Sequence, residues 1–321
     1  MGRTTLSPGK GIAMRIWSKC SLISVIFTSF SGGFASAEWI RVEESERLMG
    51  VDFRVVLYAQ ATDPGRMAAG RALARVEALN QVLSDYVADS EVRRLARDRE
   101  RHKVSAELWR VLSYGQSVAR ESQGAFDMTV GPYVLAARQY RFFGKLPPPE
   151  KLARMKASVG FDKLKLFPES REVACAAPAM RVDLGGLAKG YAVDEALGVL
   201  RELGYTRAMV DGGGDLAVSD APPGKPHWEV QVEGATDQVL SLRHAAVATS
   251  GDVYQFVEVD GIRYSHIIDP RKGLGITNRV QVSVVADHCM KADAWASAIC
   301  VLGGMDADRQ KALGLRVFLR R

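Results

Sequence analysis

The sequence is poor in the side chains that build disulfide frameworks and metal clusters: its 321 residues include only four cysteines and five histidines. No two cysteines have the CxxC spacing of a zinc site. Cys175, Cys289 and Cys300 lie beyond the N-terminal segment, and their odd number excludes a framework of paired disulfides. Cys300 lies in an apolar helical run typical of a core. A single Cys175–Cys289 bridge in an oxidising compartment stays open.

Outside its first 37 residues, the sequence also has no large excess of basic over acidic residues. The formal net charge is +6, and Arg3, Lys10, Arg15 and Lys19 lie before residue 38, where there is no acidic residue. Removing those four charges leaves +2. No stripe of basic residues interleaved with aromatics follows. A nearly neutral chain gives no electrostatic basis for binding DNA or RNA, so we expect no nucleic-acid partner.

The apolar run near the N-terminus, Cys20 to Phe30, is too short to span a bilayer. A short positive segment precedes this run, and an A-x-A cleavage site, Ala35-Ser36-Ala37, follows it. These features predict a cleaved secretory signal peptide over residues 1–37, a mature chain that begins at Glu38, and a soluble periplasmic protein. The alternative is an amphipathic or buried N-terminal helix.

The remaining sequence carries no internal repeat, low-complexity tract or long linker, so we predict a single domain over residues 38–321.

Alternation of apolar and other residues from Val51 to Leu57 predicts a strand with one buried face, and Pro64 opens an amphipathic helix. Asp89-Ser90 is positioned to cap a short helix. Neighbouring strands with helices packed on them are typical of an α+β fold with a mixed sheet. The other principal predicted helices are Leu108 to Ala119, Ala188 to Leu203 and Ala292 to Leu302. The other predicted strands are Lys163 to Phe167, Val173 to Val182, Arg207 to Val210, Trp228 to Val232, Val253 to Val259 and Val280 to Val285.

Two glycine-containing segments have the composition of a ligand-binding loop. Gly124 to Pro132 combines Gly, Asp, Thr and Pro in one short stretch, although an ordinary Asx turn fits it equally well. In Asp183 to Asp194 an apolar strand leads through a Gly-Gly turn into a helix with Lys189 in its first turn. Glycines, a helix N-terminus and a lysine together suit a diphosphate. The alternative is a plain strand-to-helix turn with a surface lysine.

Two further segments place polar residues between short strands. Val210 to Asp215 contains three consecutive glycines, which indicate close backbone approach or an unusual turn. Ala248 to Gly251 is followed by Tyr264 to Pro270, in which His266 lies in a strand-like run three residues before Asp269. This histidine is either a satisfied core residue or a general base.

The last predicted helix carries a carboxylate and a hydroxyl one turn apart. Asp293 and Ser297 are at positions i and i+4, so their oxygens lie on one helical face. Hard oxygen ligands of this kind are those that Mg²⁺ prefers. The alternative is that Ser297 bonds back to the Asp293 carbonyl and that Asp293 caps the helix.

The motifs follow one another in a specific order: YxxxSExxxL at Tyr86 to Leu95, then GAFDxTVGP, DLGGxAKGYAVD, GGGD, ATSGD, SHIIDP and ADAxAxA. In order and spacing they resemble the ApbE family, the FAD:protein FMN transferases. The resemblance runs from Met49-Gly50 to Gly303. Each motif alone is weakly specific, but the whole set in register is highly specific.

The resemblance implies an α+β fold of two intimate α/β lobes with mixed or antiparallel sheets and flanking helices, and with FAD and Mg²⁺ bound between the lobes. It implies transfer of FMN from FAD to a Thr or Ser hydroxyl of a target protein, with release of AMP. The implied partners are FAD and an exported redox protein that carries the acceptor hydroxyl, with peripheral contact to membrane redox complexes. The same site admits two other functions, an FAD pyrophosphatase and a non-catalytic periplasmic flavin-binding protein.

The resemblance also assigns residues. His266 matches a histidine proposed as the base, and Asp269 is the next candidate. The implied metal ligands are the Asp293 carboxylate, the Ser297 hydroxyl and the Gly186 backbone carbonyl. The residues implied to line the FAD site are Met49, Tyr86, Ala125, Phe126, Asp127, Asp183, Lys189 and Ile268.

The sequence departs from the family pattern in three places. Ser297 stands where the family usually has Thr, and both are hard oxygen donors, so we expect metal binding to survive. Pro270-Arg271-Lys272-Gly273 stands where the family has Pro-x-Thr-Gly, which replaces a hydroxyl with a cation and changes the acceptor side of the site or its target. The chain also ends soon after the last predicted helix, so we expect a shortened final strand.

Overall fold

The structure is a computed structural model that describes residues 38–97, 100–232, 239–251 and 256–321. The predicted signal peptide lies outside the described residues. The strands are β1 (Ile40–Leu48), β2 (Val51–Ala59), β3 (His102–Lys103), β4 (Leu164–Phe167), β5 (Glu172–Cys175), β6 (Ala208–Gly212), β7 (Leu216–Val218), β8 (Trp228–Gln231), β9 (Val239–Leu242), β10 (Ala245–Ser250), β11 (Phe256–Val259), β12 (Ile262–Ser265), β13 (Ile268–Asp269), β14 (Leu274–Gly275), β15 (Gln281–Ala286) and β16 (Arg316–Arg320). The α-helices are α1 (Thr62–Leu83), α2 (Glu91–Leu95), α3 (Ala106–Glu121), α4 (Gly131–Phe142), α5 (Pro149–Lys156), α6 (Ala188–Glu202), α7 (Cys289–Leu302) and α8 (Ala307–Ala312).

A seven-stranded sheet in the order β1-β2-β6-β7-β10-β15-β16 forms the centre of the fold, and every neighbouring pair in it is antiparallel. Val55 and Leu57 of β2 point into the main core, whereas Val56 points into a second apolar cluster on the other face. The β8–β9 hairpin supplies much of that second cluster, including Trp228. The predicted strand therefore forms, but the prediction of a single buried face is wrong because both faces are covered.

Helices α1, α3, α6 and α7 supply most of the helical side of the main core, and α2 adds to it. The apolar residues of α1 recur at helical spacing and are buried, as the sequence predicts: Leu73, Val76, Leu79 and Leu83. Helix α7 is apolar almost all round, packs against α3, α6, β10 and β15, and buries Trp295. This burial gives α7 a fixed position against the sheet.

One predicted strand is shorter than expected. The segment Val173 to Val182 was expected to be extended throughout, but strand β5 ends at Cys175. Pro178 has no backbone N–H, and Ala179 follows with φ +52°, so neither residue continues a ladder. The chain instead turns and runs toward Asp183.

Strand β1 and helix α4 are among the elements that the sequence-based prediction lacks. Strand β1 reads IRVEESERL, and its polar residues hide the alternation because it lies at the edge of the sheet. Helix α4 begins at Gly131 with Pro132 in its first turn, a position that proline favours. The loop motif Gly124 to Pro132 therefore ends in a helix.

Several turns meet at one end of the central sheet. The β1–β2 turn, the Gly213-Gly214 turn between β6 and β7, the end of β10 and the start of β15 all lie there, because β2 pairs with β6 and β10 pairs with β15. Glycine is required in the β6–β7 turn, where both φ angles are positive. Among the described residues, no helix is both long enough and apolar enough to cross a membrane.

Candidate active site

A cavity of about 180 Å³ lies where four parts of the chain meet. They are the loop before α4, the connection that leads into α6, the bend between β12 and β13, and helix α7. The lining residues that the sequence predicts are Ala125, Phe126, Asp127, Asp183, Gly186, His266, Ile268 and Ser297.

The loop before α4 is held by the side chain of Asp127. The Asp127 carboxylate is buried, and its Oδ1 accepts hydrogen bonds from the Thr129 backbone N–H and the Thr129 hydroxyl, both at 2.7 Å. The same hydroxyl oxygen accepts a bond from the Gly160 N–H at 2.7 Å. Burial raises the pKa of Asp127, and the bonds from Thr129 oppose that rise. The loop is thus an Asx turn that also forms one wall of the cavity.

The strand-to-helix connection presents the carboxylate of Asp183 to the cavity. Its Oδ1 accepts the Gly185 N–H at 2.8 Å, and its Oδ2 lies 3.6 Å from the Arg138 guanidinium. Arg138 also pairs with Asp85 at 2.9 Å and lies 4.5 Å from the centroid of the Tyr86 ring. Burial and the neighbouring Asp85 charge raise the pKa of Asp183, against the effect of Arg138. Tyr86 does not line the cavity, and the residue is 74% exposed.

His266 lies in a bend between β12 and β13 and not within a strand, so that part of the prediction is wrong. The Ser265 hydroxyl accepts the Ile267 N–H at 3.0 Å, which turns the chain at this point. The bend leaves the His266 side chain exposed and facing the cavity. This exposure excludes the alternative of a satisfied core histidine.

Asp269 is buried and is held by the residue two positions later. Its carboxylate accepts three bonds from Arg271: from the backbone N–H at 3.1 Å, from Nε at 2.8 Å and from Nη2 at 3.1 Å. Arg271 belongs to the segment in which the sequence departs from the family pattern. Asp269 does not line the cavity, and its geometry is that of a residue that fixes the β13–β14 turn.

A buried ionic cluster lies at the start of α6. Lys189 is the second residue of the helix, and its Nζ donates to Asp215 Oδ2 and lies 3.9 Å from Asp293 Oδ2. Burial on its own lowers the pKa of Lys189, but the charges of Asp215 and Asp293 outweigh it and the pKa is raised. Burial raises the pKa of Asp293, and Lys189 opposes that rise. The lysine is therefore a partly buried cation between two buried carboxylates and not a free surface residue.

Asp293 does not cap its helix, so that alternative is wrong. Helix α7 begins at Cys289, and the N–H groups of Cys289 and Met290 bond to the Asp194 carboxylate of α6 at 2.8 and 2.9 Å. Asp293 lies a turn further on, where its Oδ2 accepts the Gly190 N–H at 3.2 Å. Asp194 thus performs the capping and leaves Asp293 for another role.

The residues predicted as metal ligands lie close together. The Ser297 hydroxyl is one turn from Asp293 and lies 3.1 Å from the Ser250 hydroxyl. A Cβ built on Gly186 would lie 3.1 Å from Ser297 Oγ, so the Gly186 backbone passes beside that hydroxyl. A buried carboxylate, hydroxyls and a backbone segment make a set of hard oxygen donors, which fits Mg²⁺.

The described residues contain no group of three or more His, Cys, Asp or Glu side chains placed to hold a metal. This finding does not conflict with Mg²⁺, because that ion usually takes one or two carboxylates and completes its shell with water and substrate phosphates.

Comparison with known proteins identifies the family. The model of the ApbE family matches residues 49–315. The chain belongs to the ApbE family. It is 33% identical to the FAD:protein FMN transferase of Haemophilus influenzae over 245 residues, which cover 70% of this chain and 69% of that protein. It is 30% identical to the FAD:protein FMN transferase of Escherichia coli K12 over 246 residues, or 71% and 69% of the two chains.

Solved ApbE structures share the fold. The flavin transferase ApbE of Vibrio cholerae is 28% identical, with a TM-score of 0.75 over 87% of this chain and 93% of that one. The Pseudomonas stutzeri flavinyl transferase ApbE superposes with a TM-score of 0.76 over 88% and 92%, at 24% identity. The predicted family and α+β fold are confirmed, as is the prediction that the chain is an enzyme.

The structure brings most but not all of the predicted ApbE site residues to the cavity. Those of the predicted set that do not line it are Met49, Tyr86, Lys189, Asp269 and Asp293. Met49 lies in the β1–β2 turn with φ +49°, against the main core. Lys189 and Asp293 lie in the ionic cluster, and Asp293 lies one turn of α7 before Ser297, which lines the cavity.

Sequence reasoning missed three residues that shape the site. Arg138 left no signal, because it lies in α4, a helix that was not predicted. Asp215 and Ser250 belong to motifs that the sequence singles out, GGGD and ATSGD, but neither was assigned a role. Only their contacts with Lys189 and Ser297 reveal them.

Proposed function

We propose that this chain transfers FMN from FAD to a Thr or Ser hydroxyl of an acceptor protein, releases AMP, and requires Mg²⁺. The relatives at 30–33% identity carry the name FAD:protein FMN transferase. The observation that carries the proposal is the meeting of the GAFD, DLGG and HIID segments with Ser297 around one cavity. These segments are far apart in sequence, and a shared site explains why each of them carries polar or glycine residues at the cavity.

The proposed reaction is a displacement at phosphorus. The acceptor oxygen forms a bond to the phosphorus on the FMN side of the pyrophosphate, and the bond from that phosphorus to the bridging oxygen breaks. AMP leaves with the electron pair of that bond, and the hydroxyl proton passes to a base. Reactions of this kind depend on positioning and charge neutralisation more than on covalent catalysis by the protein.

Mg²⁺, when bound, neutralises charge on the pyrophosphate and polarises its oxygens. Asp293, Ser297 and the Gly186 carbonyl are the residues that would hold it. Lys189 adds a positive charge beside the Asp293 carboxylate, 3.9 Å away. These groups are fixed before substrate arrives, which is how a buried site stabilises developing charge without reorganisation.

His266 is the proposed base. It is exposed on the cavity wall, so an incoming hydroxyl can reach it. Asp269 is bonded three times to Arg271, so we assign it to holding the β13–β14 turn that follows the bend carrying His266. Tyr86, exposed beside Arg138, offers an aromatic face to a ring of FAD that extends beyond the cavity.

We further propose that the enzyme acts in the periplasm on an exported redox protein, in peripheral contact with membrane redox complexes. Export is supported by the leader sequence alone, which has a positive segment, a short apolar run and an A-x-A site. The partners are those that the resemblance to the ApbE family implies. Export predicts that protein recovered from the periplasm has lost residues 1–37 and begins at Glu38. Its intact mass tests this, and a mass that retains Cys20 or carries a lipid would contradict it.

The transferase proposal is tested in a periplasmic extract from cells that lack this chain. Purified protein, FAD and Mg²⁺ are added, and the extract is run on a denaturing gel. We expect a new fluorescent band, which marks covalent flavin on an acceptor, and no band with EDTA in place of Mg²⁺. Release of FMN and AMP without any band would instead indicate an FAD pyrophosphatase. FAD that is bound and returned unchanged would indicate a flavin-binding protein.

A further inference from the structure

Asp215 occupies a position that the turn before it creates. The β6–β7 turn contains Gly213 with φ +71° and Gly214 with φ +99°, and Gly212 N–H bonds back to the Asp215 carbonyl at 2.8 Å. The chain therefore reverses direction tightly, and Asp215 is the first residue to point back into the protein. Its side chain is buried, with 3% of the residue exposed.

The two carboxylate oxygens of Asp215 contact different parts of the site. Oδ2 accepts the Lys189 ammonium, and Oδ1 accepts the Thr249 N–H at 3.3 Å. Thr249 precedes Ser250, whose hydroxyl lies 3.1 Å from that of Ser297. Asp215 is thus connected to the α6 lysine on one side and to the strand end beside α7 on the other.

The cluster holds two carboxylates and one ammonium, so it has an excess of negative charge in a buried place. Lys189 contacts Asp215 directly and stays 3.9 Å from Asp293. The ammonium is therefore nearer to Asp215 than to Asp293, and a buried carboxylate whose charge is incompletely compensated is costly. The Asp293 oxygen that faces Lys189 accepts the Gly190 N–H at 3.2 Å. Because the ammonium lies closer to Asp215, the Asp293 carboxylate can still accept a second cation.

We propose that Asp215 is a positioning residue for the metal site: it keeps Lys189 bound to itself, so that the Asp293 carboxylate stays available to the divalent cation. The proposal rests on the proposed function, which makes Asp293 a metal ligand. Without the Asp215 charge, Lys189 moves onto Asp293 and competes with the metal for the same oxygens. Residues that orient a ligand from outside the coordination shell commonly change metal affinity by about 10- to 100-fold.

The test is Asp215→Asn, which keeps the size of the side chain and an oxygen for the Thr249 N–H but removes the charge. Mn²⁺ is the probe, and its unbound fraction is measured by electron paramagnetic resonance at an FAD concentration that saturates each variant. We expect the Kd for Mn²⁺ to rise by about 10- to 100-fold. Asp211→Asn is the matched control, because Asp211 lies in β6 just before the same turn but pairs with Arg54 at 3.2 Å. We expect its Kd to equal that of the wild type.

The double variant Asp215→Asn with Lys189→Met separates competition from general damage. With the competing ammonium removed, we expect Mn²⁺ affinity to return toward the wild-type value. If Asp215→Asn fails to fold, Lys189→Met alone replaces it, and we expect it to bind Mn²⁺ at least as tightly as the wild type.

The outcomes distinguish the proposals. Equal affinity in Asp215→Asn and the wild type overturns the role of Asp215, as does a double variant that stays as weak as Asp215→Asn. Weaker Mn²⁺ binding by Lys189→Met alone than by the wild type also overturns it. Failure of the wild type itself to bind Mn²⁺ with FAD present overturns the metal site of the proposed function, and this inference with it.

Discussion

At the scale of single residues, the structure separates side chains that the sequence could only group together. His266 and Asp269 occur in one motif, and both were candidates for the base. The structure exposes His266 at the cavity and buries Asp269 against Arg271. The three-residue spacing of His266 and Asp269 cannot reveal this difference in exposure, because the difference depends on a bend made by the Ser265 hydroxyl.

His266→Ala therefore tests the base directly. We expect the variant to bind FAD as the wild type does and to lose FMN transfer by about two to four orders of magnitude, the usual contribution of general base catalysis. Flavin fluorescence titration measures binding, and in-gel flavin fluorescence measures transfer. If binding falls as far as transfer, His266 is a ligand contact and the base lies elsewhere.

Asp293 and Ser297 test the metal site at the same scale. We expect Asp293→Ala to abolish Mg²⁺-dependent turnover, because it removes the only carboxylate of the proposed ligand set. Ser297→Thr keeps the hydroxyl that the metal requires and should retain activity, whereas Ser297→Val has a similar size without the oxygen and should lose it. Activity is measured across a Mg²⁺ titration, with circular dichroism as the check on folding. Near-normal turnover by Asp293→Ala at limiting Mg²⁺ would show that the assignment is wrong.

At the scale of elements, the ionic cluster depends on how closely α6 approaches the start of α7. A Cβ built on Gly190 would lie 2.5 Å from the Cys289 carbonyl oxygen and 2.8 Å from the Met290 Cα, both backbone atoms. The same glycine donates its N–H to Asp293. Asp194 fixes the other side of the contact by capping α7. Close helix packing therefore sets the distance between Lys189 and Asp293.

Gly190→Ala should push the two helices apart. We expect a loss of about 1–3 kcal/mol in the free energy of unfolding, typical of overpacking, together with loss of transferase activity. Gly198→Ala is the matched control in the same helix, where an added Cβ meets nothing within 4 Å. That change should raise stability by about 0.5–1 kcal/mol, as expected for alanine in place of a helical glycine. Urea denaturation measures both variants, and equal behaviour of the two would contradict the packing account.

Elements with strong periodicity were predictable and the others were not. Helix α1 and strand β2 follow from their apolar spacing, and the Ser90 cap of α2 follows from its sequence. Strand β1 escaped prediction because an edge strand with polar residues has no clear alternation. Helix α4 escaped it because the Gly and Pro at its start are also typical of a loop. A local sequence pattern reveals an element only when one of its faces is buried. Strand β1 and helix α4 have no such pattern, because their formation depends on tertiary contacts.

At the scale of the whole molecule, order along the chain predicted the family and the motifs that meet, but not the contacts between them. The sequence assigned Lys189 to a diphosphate because it follows a Gly-Gly turn at a helix start. Its pairing with Asp215 and Asp293 arises from residues 26 and 104 positions away. Such long-range electrostatics cannot be derived from local spacing. The motif list was therefore sufficient for the family and insufficient for the geometry of the site.

The most direct test of the account is the ratio of AMP released to flavin attached. The acceptor found in the periplasmic extract is purified and incubated with the protein, FAD and Mg²⁺. AMP is then quantified by chromatography, and covalent FMN by the intact mass of the acceptor. We predict equal amounts of the two products, and neither product when EDTA replaces Mg²⁺. AMP accompanied by free FMN, with no change in the mass of the acceptor, would contradict the transferase assignment.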